Sequence, residues 1–456
     1  MIDQFFAYLE GFENLLWGYM GFPVLMLLGF YLTFRSNFVQ IRQFPVVLKT
    51  FIGFLKFQDC KKDGAVHPLK AFFACIGGCV GVGNIVGICT AVQIGGPGAL
   101  FWIWMTALIG GMVKYAEVYL GVRFRVPNGR GGFNGGPMYF IQKVIKAPWV
   151  PVAISLLLCV YGVEVYQFSV VTHSISSNLG FNPLLVTTIL LFLVIFAGSG
   201  GVRRVGNISS ATIPVFVFIY VSMGLWVLFN NLSLLPDVLS TVFSSAFSGH
   251  AAMGGFVGST LLMTISQGVR RGCYTGDLGI GYASVIHSES AATVPEKQAS
   301  LVIFDIFLDT FIVCTSSVLV ILVTDVWHQP MDSGMLVQTA LSNYFPYMNL
   351  FMPFFLFLLG YSTINAYFCV GLKCAEHIAP RYGRPIYYAY AALTLFIFSF
   401  VDTVQAQTVM SIAGGLLLVF NCYGIFKLRK ELSFNLSGEE ETRALASSNE
   451  AIAEVS

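Results

Sequence analysis

Residues 74–104, ACIGGCVGVGNIVGICTAVQIGGPGALFWIW, form an uncharged apolar stretch long enough to cross a bilayer, with Gly77, Gly78, Gly81, Gly83 and Gly87 near its middle. So many glycines let the backbone leave the helix there. Inside a membrane, freed N–H and C=O groups must find partners within the protein, which is tolerable only where they are buried or line a cavity. Broken helices of this kind form the binding sites of secondary transporters.

The remaining chain suits that setting. Of 456 residues, 56% are hydrophobic and 11% charged, with 42 Phe, and the mean hydropathy is +0.75. A water-soluble core cannot bury such a share, so the chain reads as one all-α polytopic membrane domain. No basic residue precedes Arg35, so the first apolar run lacks the start of a cleavable signal and is expected to be retained. The ten Cys are scattered without a CxxC pair and read as small packing residues. No metal other than sodium, no cofactor and no nucleic-acid partner is expected.

At about 20 apolar residues per crossing, eleven spans are expected, over 15–32, 71–92, 100–120, 150–173, 184–197, 213–229, 256–285, 301–323, 350–370, 385–400 and 409–426. Charge tests this count. With the N-terminus outside, 22 of the 25 Lys and Arg fall in loops assigned to the cytoplasm, and the external loops hold none. A multi-pass plasma-membrane (inner-membrane) protein with an external N-terminus and a cytoplasmic C-terminus follows. The basic and apolar residues alternating through 34–70 suggest a helix on the cytoplasmic interface, and the acidic tail is expected to be disordered.

Three basic residues remain. Lys114 lies three before Glu117 in the third span, so the two are expected to pair. Arg270 and Arg271 lie in GVRRGCYTGDLGIGY, residues 268–282, where five glycines and three charges interrupt the seventh span. With the first span set aside as an extra, the other ten divide into two sets of five, each opened by a broken helix. Five is odd, so the sets run in opposite senses, the pattern of an inverted repeat around a midplane site. The expected division is an extra helix at 1–33, an interfacial segment at 34–70, repeats at 71–230 and 255–430 around an external loop at 231–254, and a tail at 431–456.

A half-helix beginning near Asn84 would direct N–H groups and a positive dipole end at a carboxylate. Freed carbonyls with a hydroxyl, for which Thr363 is a candidate, suit a hard monovalent cation. The residues thus point to a small anionic or zwitterionic solute moved with a cation.

The stretch GVGNIVGICTAVQIGGPGALFWIWMTALIGGMVKYAEVYLGVRFR closely resembles the signature of the alanine or glycine:cation symporter family, the sodium:alanine symporters. FVQIRQF, HPLKAF, GGPMYFI, QGVRRG and DTFIVCTSSVLVIL extend the likeness over most of the chain. The resemblance implies the five-plus-five inverted-repeat fold of the neurotransmitter:sodium symporters and sodium-driven uptake of a small neutral amino acid. It places Gly83, Asn84 and Ile85 at the substrate carboxylate, Gln167 on the cavity wall, and Thr363 and Tyr367 in the pocket. By analogy, carbonyls near Gly77 and Val80, with Thr363, would hold sodium.

The departures fall mainly in the second repeat. Where the family reads LFSNEAGxGSA, this chain has CYTGDLGIGYA, so Thr275, Gly276, Asp277 and Tyr282 replace Ser, Asn, Glu and Ser. The family's ninth-span Trp is Tyr367, and Ser169 replaces an Asn. These changes leave alanine and glycine open as substrates. Asp277, Asp309, Arg270 and Arg271 are candidates for coupling or gating. A proton-coupled transporter would titrate Asp277 or Asp309, although pairing of Asp309 with one of the arginines is the commoner arrangement. A degenerate transporter acting as a sensor is the other alternative. No pore-loop filter or catalytic motif supports a channel or an enzyme.

Overall fold

The computed structural model describes residues 2–56, 65–129, 131–248 and 261–436. Helices dominate, and a short pairing of Val126–Pro127 with Phe133–Asn134 makes the sheet seen among the described residues. Seven helices there are long and apolar enough to cross a membrane, and a bent pair makes an eighth. Three shorter segments complete the expected order: Pro183–Gly198, Leu261–Gly276 with Tyr282–Ser288, and Gly383–Phe398.

Local chemistry sets many helix starts. Proline occupies the first turn at Pro68, Pro183 and Pro295, where its missing N–H is not needed. Asn182 and Asp402 accept hydrogen bonds from the amides of Leu184 and Val404 at 2.9 and 2.8 Å, as N-caps do.

The helix Ala99–Arg123 is central. It packs against Leu261–Gly276, Pro295–Ile306, Phe22–Arg35 and Tyr282–Ser288, and its residues from Ile109 to Val122 are all buried. Gly29, Gly110 and Gly121 allow its close packing: a Cβ on Gly29 would fall 2.6 Å from Ile109, and one on Gly121 2.7 Å from Ser284.

Loops carrying most of the basic residues gather at one end. There Val66 pairs with Ser290, Lys373 forms an ion pair with Glu289, and Arg384 donates to the Ser199 carbonyl at 3.2 Å. Arg125 donates to the carbonyls of Ser288, Ser290 and Ala292 and lies 3.8 Å over the Phe133 ring. Burial pulls its guanidinium down to about 10, so it stays cationic at neutral pH. At the opposite end, Trp102 donates to the Ala246 carbonyl and Gln93 to that of Met331.

Several expectations need correction. The sixth span begins at Gly201 rather than 213, taking Arg203 and Arg204 into its first turn; ends near the membrane surface tolerate such charges. The span expected over 150–173 is interrupted at Glu164. The segment read as an external loop contains the helix Leu235–Ser248. The interfacial helix is two pieces, Val39–Arg42 and Phe44–Leu55, and its Phe44 and Phe51 rings pack against Phe304 and Phe72. The tail is fastened at its start, where Tyr115 donates to the Ser433 carbonyl and stacks on Phe434; residues 437–456 lie outside the described residues. Nine described cysteines are free and buried, as packing residues would be.

Candidate functional site

The first helix breaks where the glycines lie. Pro68–Cys79 ends as Val80 and Gly81 become extended, a 3-10 turn covers Val82–Asn84, and the helix resumes as Gly87–Gly95, bent by 51° overall. Several of the freed groups bond to protein. The Gly81 amide donates to Asn84 Oδ1 and the Val82 amide to Gln167 Oε1, each at 3.0 Å. Thr363 donates to the Gly77 carbonyl at 2.9 Å, and Ser317 to that of Asn84 at 2.7 Å. The break thus draws together Gly77, Asn84, Gln167 and Thr363, with Val80 in the extended link between them.

Glycine is required for this convergence at particular points. A Cβ on Gly81 would lie 2.5 Å from Thr363 Oγ1 and 2.6 Å from Gln167 Oε1, and one on Gly77 2.2 Å from Ser209 Oγ. Gly83 and Gly87 differ. A Cβ there would meet Tyr274 and Thr275, or Gln407 and Tyr166, no nearer than 3.4 Å. A methyl there would be in ordinary contact with these groups rather than collide with them. The turn also engages the amides expected to face a carboxylate: those of Asn84 and Ile85 donate to Gly81 and Val82 carbonyls at 3.2 and 3.1 Å.

The second break begins later than expected. Gly268, Arg270, Arg271 and Gly272 remain helical within Leu261–Gly276; the chain then turns through Asp277, Gly279 and Gly281 at φ of 49°, 76° and 112° before Tyr282–Ser288. Two carboxylates cap the new helix. Glu117 accepts from the amides of Gly281 and Ser284 and from Asn421 Nδ2, while Asp277 Oδ2 accepts from the Ala283 amide at 3.0 Å. Asp277 thus anchors the break itself.

Two expected pairings are replaced. Lys114 does not neutralise Glu117: its Nζ lies 2.6 Å from Asp305 Oδ2 and 3.2 Å from Cys79 Sγ, at the end of the first half-helix. The ammonium is thus directed to the first break and the Glu117 carboxylate to the second. Asp309 does not meet an arginine. A π-helical turn, Phe307–Cys314, turns it toward the first break, where Asn84 Nδ2 donates to Oδ1 at 2.5 Å and Thr310 to Oδ2 at 2.9 Å. Such π turns are frequent at functional sites. Arg270 instead pairs with Glu13 of the extra helix at 2.8 Å, and Arg271 is buried beside it.

Tyr367 links the breaks. One turn beyond Thr363, it stacks on Tyr282 of the second broken helix, with centroids 4.2 Å apart, and meets Tyr161 at 5.3 Å. Cys369, two residues on, lines a cavity of about 600 Å³ at the basic end, with Glu289, Lys373 and Arg384.

Sequence reasoning missed Asp305 and Glu164. Both are fully buried, and charged residues inside the membrane domain are the signal that could have singled them out.

Two discontinuous helices meeting among buried polar side chains in a many-spanning bundle define a secondary transporter, and neither fold nor family is that of an enzyme. The whole-chain comparisons agree. The model of the Sodium:alanine symporter family matches residues 2–446, and the chain belongs to that family. An uncharacterized transporter of Haemophilus influenzae is 31% identical over 92% of this chain and 93% of its own length. The sodium/alanine symporter AgcS of Methanococcus maripaludis is 28% identical over 91% and 95%, and the probable sodium/glutamine symporter GlnT of Bacillus subtilis 29% over 94% and 90%. Among solved structures, MhsT in complex with L-phenylalanine superposes with a TM-score of 0.56 at 15% identity, covering 79% of this chain and 88% of that one. A sodium-coupled sialic acid symporter gives 0.55 at 11% identity, over 90% and 87%. These confirm the fold, an inverted repeat with discontinuous helices.

Proposed function

We propose that this protein moves a small neutral amino acid into the cell together with sodium, across the plasma membrane, by alternating access. The observation that carries this reading is the first break, where the unwound turn at Val82–Asn84 and the side-chain-free Gly83 and Gly87 face Tyr274, Thr275, Tyr166 and Gln407. The substrate carboxylate would share the amides of Gly83, Asn84 and Ile85 in three-centre hydrogen bonds. Gln167, which holds the Val82 amide, and Tyr367 would form the walls. Carbonyls of Gly77 and Val80 with the Thr363 hydroxyl would hold sodium, an oxygen-only shell of the kind a hard cation takes.

The two repeats, 71–230 and 255–430, would rock against each other around this point, with the extra helix tied to the second through Glu13 and Arg270. The charge distribution supports an external N-terminus and a cytoplasmic basic end. Alanine and glutamine, in the printed names of the relatives, are the first substrates to try. A second reading rests on Asp309, a buried carboxylate bonded to Asn84 at the break: there a proton would replace sodium.

Uptake of labelled alanine, glycine and glutamine into proteoliposomes, driven by an inward sodium, proton or potassium gradient in turn, tests both. Accumulation with sodium alone supports the first reading. Accumulation with protons alone, abolished by Asp309→Asn, supports the second, and the absence of accumulation with either overturns transport.

A further inference from the structure

Glu164 stands apart from every role assigned so far. It sits between Trp149–Tyr161 and Val165–Leu179 with φ 52° and ψ 51°, a conformation uncommon outside glycine that persists only where the surroundings hold it. Its side chain is fully buried. Tyr274 donates to Oε1, the backbone and side chain of Gln167 lie beside the carboxyl, and Oε2 has no hydrogen bond of normal geometry among the described residues. No Lys or Arg among the described residues forms an ion pair with it: Lys114 pairs with Asp305 and Arg270 with Glu13, while Arg271, buried near Tyr166 and Tyr274, forms none.

Its surroundings face the first break. The Tyr274 ring that bonds Glu164 lies 3.4 Å from where a Cβ of Gly83 would sit. Tyr161 and Tyr166 pack edge-on around that ring, at centroid distances of 6.4 and 6.1 Å. Across the gap, Tyr166 Oη and Gln407 Nε2, both unpartnered, approach Gly87 at 3.5 and 3.4 Å from its missing Cβ. A carboxyl group without a basic partner inside a membrane marks a function by default, and ring faces attract organic cations. Sodium would need a shell of oxygens, whereas here ring faces and an amide NH2 surround the gap.

We propose that Glu164 is the counter-charge for a ligand ammonium group seated beside Gly83 and Gly87, with Tyr166 and Gln407 donating toward the anionic end of the same solute. This rests on reading the first break as the substrate site. The ammonium is either the α-ammonium of any amino acid or the side-chain cation of a basic one.

Equilibrium binding to purified protein in sodium buffer tests it, with labelled alanine and lysine as probes and lactate and ethylammonium as competitors. In Glu164→Gln, which keeps size and hydrogen bonding, loss of about tenfold or more in affinity for both probes assigns the α-ammonium; loss for lysine alone assigns the side chain. Lactate, which lacks the ammonium, should compete equally in both proteins. Both probes binding Glu164→Gln within about twofold of wild type overturns the proposal. If wild type binds neither amino acid, the site reading fails separately; ethylammonium binding to wild type but not to Glu164→Gln then still supports the counter-charge, and indifference overturns it. Should Glu164→Gln not reach the membrane, Glu164→Asp, with the carboxylate withdrawn by one methylene, must weaken the same probes to a smaller extent, and unchanged affinity overturns the proposal.

Discussion

Lys114 Nζ lies 2.6 Å from Asp305 Oδ2 with both side chains fully buried, 191 positions apart in the chain. The pair joins the central helix to the eighth span beside Cys79, where the first helix gives way. Removing one partner leaves an uncompensated buried charge, a loss of about 3–5 kcal/mol. Lys114→Met and Asp305→Leu should each lower the thermal midpoint sharply, and the double variant should recover most of the loss. Melting curves of the three purified proteins check this; an additive double variant contradicts it.

Gly81 and Gly83, two residues apart, are predicted to respond differently to a methyl group. In Gly81→Ala the added carbon collides with Thr363 and Gln167, so uptake should be lost and stability reduced. In Gly83→Ala it meets Tyr274 and Thr275 at ordinary contact distance, so the protein should melt near wild type while substrate affinity falls. Paired melting and uptake assays separate the two.

Glu117 holds the second break through three donors, two amides and Asn421. Glu117→Gln removes one acceptor oxygen and leaves a buried donor unmade, about 1–3 kcal/mol. The expected result is a lower midpoint with increased hydrogen exchange across Tyr282–Ser288; unchanged exchange would remove the capping role.

The extra N-terminal helix contacts the second broken helix through Glu13 and Arg270, and the last long helix through Trp17, whose Nε1 donates to the Ser411 carbonyl at 3.0 Å. Glu13→Gln should slow uptake, and Arg270→Gln on the same background should restore part of it. Equal defects in the single and double variants would mean the arginine acts through other partners.

What was legible in the sequence was what composition and spacing encode. Glycine clusters located both breaks, and the placement of Lys and Arg supported a count of eleven spans, of which eight are long and apolar enough to cross a membrane among the described residues. Contacts between distant spans were not legible. Spacing suggested Lys114 with Glu117, but tertiary packing sent one side chain to each break, and Asp309 met Asn84 rather than an arginine. Asp277 became a cap because the half-helix after it needed acceptors for its first amides. Glu164 gave no periodic signal, since its role depends on a left-handed backbone and on Tyr274, 110 positions away.

The central claim, that amino acid and sodium occupy the first break together, is tested most directly by measuring alanine affinity across a sodium titration and sodium affinity across an alanine titration. Coupling is reciprocal, so each ligand should tighten the other by the same factor, and Gly83→Ala, whose added methyl stands against Tyr274 and Thr275, should weaken alanine binding while leaving a folded protein. Alanine binding that is indifferent to sodium, or that survives Gly83→Ala unchanged, would contradict the account.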